Sequence, residues 1–388
     1  MPGSTKLETR EQGAIQGSLD DASAAHADRD EDDGEPTFLD RKRIIQTLVI
    51  VVVLVAGIYI LLPKLVGLED AIAKVDDGNP FWIAVAFCLT ILISASYIAL
   101  FRGIVGENVL ALSWGEAYEI SMASFAASRL FSGGGAGGIV VTYWALRKAG
   151  MERRQAAARM VAFLVMLYSI YLVSLVVFGI LLRTGVLAGA SPSGLTIVPA
   201  AVAGVLIAVI GLMALIPADF ERRMAGWSEG HRFAGMWRRL ATVPDTIATG
   251  TRTALMFVRE PKRGGLALAG SIGFWAANIA ALWASFKAFD VHVTFGVIVQ
   301  GYFIGMVANL IPGAPGGVGT VDAGMIGAYV LFGLPGASVF AAVLVYRLFA
   351  FWLPVIPGFI AFLQLRRTVS RWEREGRSQA RVPAEATA

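Results

Sequence analysis

The chain has 388 residues, 56% of them hydrophobic and only 16% charged, against about 25% charged in an ordinary soluble domain; its mean hydropathy is +0.64. The apolar runs are continuous and do not alternate with period two, which excludes a transmembrane β-barrel and predicts an all-α polytopic membrane protein. One cysteine (Cys88) inside an apolar run excludes a disulfide framework. His26, His231 and His292 fall in three separate polar segments without metal-ligand spacing, so no metal or cofactor is expected.

Residues 1–40 carry eleven Asp/Glu and three Lys/Arg and few large apolar side chains, the composition of a disordered acidic tail. They lack the basic start and early apolar core of a signal peptide. Residues 41–366 read as one transmembrane domain. Six runs within it are long enough to cross a bilayer as helix: Ile44–Leu62, Phe81–Leu100, Met160–Leu182, Thr196–Ile216, Leu266–Phe286 and Ser338–Leu363. Two apolar stretches do not fit. Glu116–Phe131 runs into SGGGAGG and is followed by IVVTYWALRKAG; Val297–Ile311 runs into PGAPGGVG and is followed by TVDAGMIGAYVLFG. Each is a short apolar arm, a Gly-rich elbow and a second short arm, so each is expected to enter the bilayer and return.

The Lys/Arg distribution sets an orientation. With the N-terminus cytoplasmic and both odd stretches treated as hairpins, the cytoplasmic segments hold 24 Lys/Arg and the outside loops hold four (Lys64, Lys74, Arg183, Lys287). Both termini are then cytoplasmic, in a plasma (inner) membrane, and residues 367–388 form a basic disordered tail. Only Arg129 and Arg347 remain within the membrane. In the cytoplasmic loop 217–263, Phe233, Met236, Trp237 and Leu240 form an apolar stripe flanked by Arg232, Arg238 and Arg239. The spacing predicts a short helix ending near Pro244, lying on the membrane surface or packed on the bundle.

The two broken stretches align at an offset near 180: Leu130-Phe131-Ser132-Gly133 lies over Leu310-Ile311-Pro312-Gly313, and Gly137 over Gly317. Around them the pattern span, broken hairpin, span occurs twice, at about 81–182 and about 266–363. The first hairpin starts from the cytoplasmic side and the second from outside, so the two units are inverted repeats. Interrupted hydrophobic segments at matching positions of inverted halves point to a midplane site. Irregular backbone at that depth must be buried in protein or line a polar cavity.

The candidate residues follow from that placement. Arg347 sits mid-span, where an Arg costs at least about 2.5–3.5 kcal/mol on insertion scales and must face the bundle or a wet cavity; it holds a lipid phosphate or pairs with Asp322. Arg129, three residues before the first elbow, either reaches the same depth, where its fork suits a phosphate, or snorkels to the interface. Gly134, Gly135 and Gly137, and Gly316, Gly317 and Gly319, open half-helices whose free N–H groups suit an anionic headgroup. Asp322 serves as a helix N-terminal charge, an ion-pair partner or a proton-coupling group, and Asn309 can bond backbone freed at the second elbow. Tyr168, Tyr171 and Trp352 read as packing residues. GGGAGG lacks the GK[ST] of a nucleotide loop, and the chain shows no catalytic triad, so neither an enzyme nor a nucleic-acid partner is expected.

The run NLIPGAPGGVGTVDAG followed by LFGLPGASVFAAVLVYRLFAFWLPVIPGFIAF resembles the lysylphosphatidylglycerol synthase transmembrane region, a flippase-like family of integral membrane proteins. The family pattern falls on Pro312, Gly316, Gly317, Gly319, Asp322, Arg347, Trp352, Pro354 and Gly358, with Asp322 where Glu is usual. ASRLFSGGGAGGIVVTYWALRKAGM is similar to the family's N-terminal Gly-rich block, without the Arg often found after it. The likeness covers roughly 44–365. The aminoacyltransferase domain of the full synthases is absent from these residues, so lysyl transfer is not implied. The resemblance implies that membrane lipids with an anionic phospho or polyprenyl-phosphate headgroup are the ligands, moved or bound between leaflets of a bacterial plasma membrane. Two other readings are open: an accessory module serving a separate envelope-building enzyme, or a small-solute or ion transporter.

Overall fold

The computed structural model describes residues 77–106, 110, 112–130, 136–215, 234–310 and 317–376. The acidic segment 1–40 and the span expected at Ile44–Leu62 lie outside them. Among the described residues the structure is entirely helical: α1 Pro80–Val105, α2 Trp114–Leu130, α3 Ala136–Lys148, α4 Arg153–Arg183, α5 Ser193–Ala214, α6 Ala234–Arg259, α7 Pro261–Ala288, α8 Phe295–Val307, α9 Thr320–Leu331, α10 Gly336–Arg347 and α11 Val355–Arg374. Five helical segments are long and apolar enough to cross a membrane: α1, α4, α5, α7 and the run Gly336–Arg374 that joins α10 to α11. They coincide with the five expected spans that fall in the described residues. The protein is a multi-pass membrane protein.

Local sequence sets the helix ends. Asn79 caps α1 by accepting the Phe81 N–H at 3.0 Å, with Pro80 in the first helical position, and Gly106 closes the helix at φ 65°. The first helices of the two units, α1 and α7, pack on each other through small residues. A Cβ at Gly270 would lie 2.7 Å from Leu100 Cα and 2.8 Å from the Ser96 carbonyl oxygen. Gly273 faces Ser96, and Gly103 faces Ala267. Such contacts let backbones approach where lipid supplies no hydrophobic drive. The pairing order, 96 with 273, 100 with 270 and 103 with 267, makes the helices antiparallel. Corresponding elements therefore run in opposite directions, as inverted repeats require.

Both odd stretches are helical hairpins. In the first, Ser124 Oγ and Thr142 Oγ1 bond across α2 and α3 at 2.6 Å, and Gly138 sits against the Ser124 carbonyl. In the second, Tyr329 on α9 donates to the Ile298 carbonyl on α8 at 2.7 Å, and Gly301 and Gly305 receive Tyr329 and Met325. The 13 residues of α8 and 12 of α9 reach about 20 Å at 1.5 Å per residue, short of the roughly 30 Å hydrocarbon core. Each hairpin is tied to the other unit: Tyr171 on α4 donates to the Phe303 carbonyl on α8 at 2.8 Å, and Arg129 on α2 donates to the Ala350 carbonyl beyond α10 at 3.0 Å.

Two expectations are corrected. The helix expected to end near Pro244 continues to Arg259 as α6. Its second half is held by packing: Ala248, Thr251, Ala254 and Phe257 are buried, Gly250 lies against Val161 on α4, and Arg252 Nε donates to the Ala214 carbonyl at 3.1 Å. That packing outweighs the one helix bond a proline removes. The tail expected to be disordered from 367 is helical to Arg374. Its Trp372 is fully buried and donates Nε1–H to Glu116 at 3.0 Å, while Lys148 pairs with Glu373 at 2.9 Å. The C-terminal end of α11 thus clasps both outer ends of the first hairpin. The basic residues Arg371 and Arg374 that suggest a solvated tail occupy one face only.

Candidate functional site

The break after α10 organises the site. Leu348–Trp352 form a π-helical turn in which the Leu353 N–H bonds back five residues to Leu348 at 2.9 Å, and Pro354 follows. Proline cannot continue the α-helical bonding pattern, and a π-turn frees a neighbouring carbonyl. The Ala350 carbonyl is then taken by Arg129 from the other unit.

Arg347, the last residue of α10, does not snorkel. Its Nε lies 2.6 Å from Asp322 Oδ1, and both side chains are about 95% buried, with 5% and 4% exposed. Asp322 is fixed in turn: Oδ2 accepts the Gly319 N–H at 2.9 Å at the start of α9. Gly319 and Gly317 adopt φ of 79° and 68°, which glycine tolerates and a side chain resists. A Cβ on Gly317 would also meet Asn309 Oδ1 at 2.7 Å. The elbow glycines here serve the turn that delivers Asp322 to Arg347.

Arg129 approaches from the first unit. Nη1 donates to the Phe125 carbonyl at 3.3 Å and Nη2 to Ala350, and its guanidinium carbon lies 3.4 Å from the centroid of Phe125. Phe351 is shared: Arg347 lies 4.0 Å and Arg129 5.0 Å from its centroid. Two cations, one from each unit, thus stack on one ring on the π-turn. A desolvated cation–π contact contributes about 2 kcal/mol, enough to offset part of the cost of holding arginines at this depth.

Both arginines line one cavity of about 170 Å³, together with Asn309 and residues from both units. Its polar wall contains Tyr97, Tyr168, Tyr302, Tyr346 and Asn278. Tyr346 donates to Asn278 Oδ1 at 2.8 Å and shares a 3.1 Å bond with Tyr302, while Asn278 donates to the Phe274 carbonyl at 2.8 Å. Trp275 closes the wall, its Nε1–H on the Leu167 carbonyl at 2.7 Å. Two lining residues are exposed among the described residues: Ile139 at the start of α3, 37% exposed, and Tyr168 at the middle of the 31-residue α4, 40% exposed. Among the described residues, the cavity lining thus reaches the surface at these two positions, one of them mid-helix.

Of the residues singled out in the sequence, Arg129, Arg347 and Asn309 meet on this cavity, and Asp322 stands behind Arg347. Gly137 is buried in the first turn of α3. Trp237, Arg238 and Arg239 lie on α6, while Gly134, Gly135, Gly316 and Arg232 fall outside the described residues. Tyr168 was expected to pack and instead forms the rim, because a tyrosine within an apolar run carries no signal of which face it occupies. Tyr97, Tyr302, Tyr346, Asn278 and Phe351 were not anticipated. Scattered through apolar runs at positions 97 to 351, they carry no sequence signal that joins them.

A polytopic helical protein with two inverted broken hairpins around a cationic cavity is the class that fold and site define. Residues 47–358 match the model of the lysylphosphatidylglycerol synthase TM region. The chain belongs to that family. Similar curated proteins include a UPF0104 membrane protein of Methanothermobacter thermautotrophicus, 26% identical over 333 residues, 82% of this chain and 94% of the relative. A second alignment to a protein of that name and organism is 29% identical over 86 residues, 22% of this chain and about a quarter (26%) of the relative's length. A UPF0104 membrane protein of Methanocaldococcus jannaschii is 30% identical over 94 residues, covering 24% and 28%.

Proposed function

We propose that the protein binds the anionic headgroup of a membrane lipid in the cavity between its hairpins and moves it between leaflets of a plasma membrane. The observation that carries this reading is the meeting of Arg129 and Arg347, one from each unit, over Phe351 on a cavity lined by apolar helices. A water-soluble substrate would need an opening at a helix end. A side opening at Tyr168 and Ile139 lets acyl chains stay in bilayer while the headgroup enters. The volume of about 170 Å³ is below the roughly 300–1,000 Å³ that encloses a whole drug-sized ligand, so it suits a headgroup without its chains. The family membership supports the same reading.

Arg129 and Arg347 neutralise the headgroup phosphate, the tyrosine and Asn278 hydroxyl and amide groups replace its water, and rocking of one unit against the other at the α1–α7 seam exposes it to either leaflet. The Lys/Arg bias of the loops supports a cytoplasmic side for both termini. Reconstitution of the chain in liposomes with a fluorescent anionic phospholipid tests this: accessibility to a membrane-impermeant quencher reports leaflet exchange. Exchange is expected in the wild type and lost in the Arg129→Ala, Arg347→Ala double variant. Equal exchange in both overturns the mechanism.

A further inference from the structure

We infer that the cavity selects a headgroup with one net negative charge, a phosphodiester, over phosphomonoesters and zwitterions. The inference rests on the lipid-binding reading above and narrows it to a substrate class. Of the described residues lining the cavity, Arg129 and Arg347 alone are charged at neutral pH; tyrosines are neutral there. Arg347 is already matched by Asp322 at 2.6 Å. Among the described residues the hydrogen-bond and ring contacts of Arg129 are to neutral groups, the Phe125 and Ala350 carbonyls and the Phe125 and Phe351 rings, and its buried Nε has no hydrogen-bond partner. Among the described residues the site therefore carries two positive charges and one negative, a net charge of one.

The sequence between α2 and α3 (131–135, FSGGG) and that at 311–316 (IPGAPG) contain no ionisable side chain. Uncompensated charge is costly in a low-dielectric site enclosed by aromatic side chains. A monoanion brings the site to zero. A phosphomonoester at neutral pH, carrying about −1.5 to −2 because its second pKa is near 6, leaves an excess of negative charge. A zwitterion leaves Arg129 unmatched. Arg129 is thus the residue that reads the ligand's charge, and Asp322 sets the value read by cancelling Arg347.

The test is a titration of the full-length purified chain in neutral detergent with dioctanoyl phosphatidylglycerol, phosphatidylcholine and phosphatidic acid, at about pH 8 so that the last carries close to two charges. Phosphatidylglycerol is expected to bind about tenfold or more tighter than either of the others, the ratio one unmatched charge produces in a partly screened site. Arg129→Gln, which leaves the Arg347–Asp322 pair intact and gives a neutral site, is expected to abolish the preference over phosphatidylcholine. Asp322→Asn, giving a net charge of two, is expected to shift the preference toward phosphatidic acid by about tenfold. Circular dichroism and monodisperse elution show that each variant is folded, and the Arg129→Gln result decides the matter if Asp322→Asn does not fold. Equal binding of all three lipids by the wild type overturns the charge selection and leaves the lipid reading standing. Binding of none overturns both. Acyl-free glycerophosphoglycerol binding as tightly as dioctanoyl phosphatidylglycerol keeps the charge selection and overturns the lipid reading, making a soluble phosphodiester the ligand.

Discussion

Arg347→Met removes one end of an ion pair whose two side chains are 5% and 4% exposed. Asp322 is left charged and buried with the Gly319 N–H, and removing one partner of a buried pair costs about 3–5 kcal/mol. The cation–π contact to Phe351 at 4.0 Å disappears with it. Replacing both partners, Arg347→Met with Asp322→Leu, removes the unpaired charge as well. Apolar replacement of a whole buried pair is often neutral or stabilising by about 1–4 kcal/mol, set here against roughly 0.3–1 kcal/mol lost with the acid at the start of α9. The double variant should therefore unfold within about 2 kcal/mol of wild type. Unfolding in mixed micelles, followed by circular dichroism, gives the three differences and the coupling between the sites. The reasoning is refuted if Arg347→Met alone costs under about 1 kcal/mol, the range of an exposed pair, or if the two single effects simply add.

Tyr168→Cys in a Cys88→Ser chain tests the side opening: a lipid-dissolved maleimide is expected to label it faster than a charged, water-borne one, and the reverse order places the entrance on the aqueous side. Trp372→Ala should destabilise by about 3–5 kcal/mol, as large aromatic truncations in a core do, and should expose the end of α11 to protease; unchanged proteolysis contradicts its clasp on the first hairpin. Gly270→Leu forces a side chain onto the backbone of α1, where a Cβ meets Leu100 Cα at 2.7 Å, and is expected to cost about 1–3 kcal/mol. Gly265→Leu, with open space around its Cβ, is the control and should stay within about 0.5 kcal/mol in the same unfolding assay.

The parts of this molecule legible in its sequence are those where membrane physics leaves few choices. A charge at mid-span is expensive, so Arg129 and Arg347 stand out among the 33 Lys/Arg by position alone, and Gly-Pro elbows between arms too short to span imply hairpins. The charge distribution implies that the two units run in opposite directions, and α1 packs antiparallel on α7. The aromatic wall was hidden for a different reason. In a soluble helix a tyrosine among leucines marks a face, but in a membrane both the lipid side and the core are apolar, so Tyr97, Tyr302 and Tyr346 carry no periodic signal. Phe351 was equally silent because its position depends on a π-turn, which shifts the register set by Arg347 and Pro354. The helix at 367–374 was missed because a run of arginines was read as solvated. Its buried face rests on one tryptophan and the Glu116 carboxylate, a contact 256 residues apart in sequence.

Photocrosslinking with a phosphatidylglycerol carrying its reactive group on the headgroup tests the central claim most directly, using the wild-type chain in liposomes and peptide mapping of the adducts. Adducts are expected on cavity residues of both units, within 125–142 and 302–309, reduced by excess unlabelled phosphatidylglycerol and about tenfold fewer in Arg129→Gln. Adducts confined to outward-facing helices such as α5, or unchanged by Arg129→Gln, would contradict it.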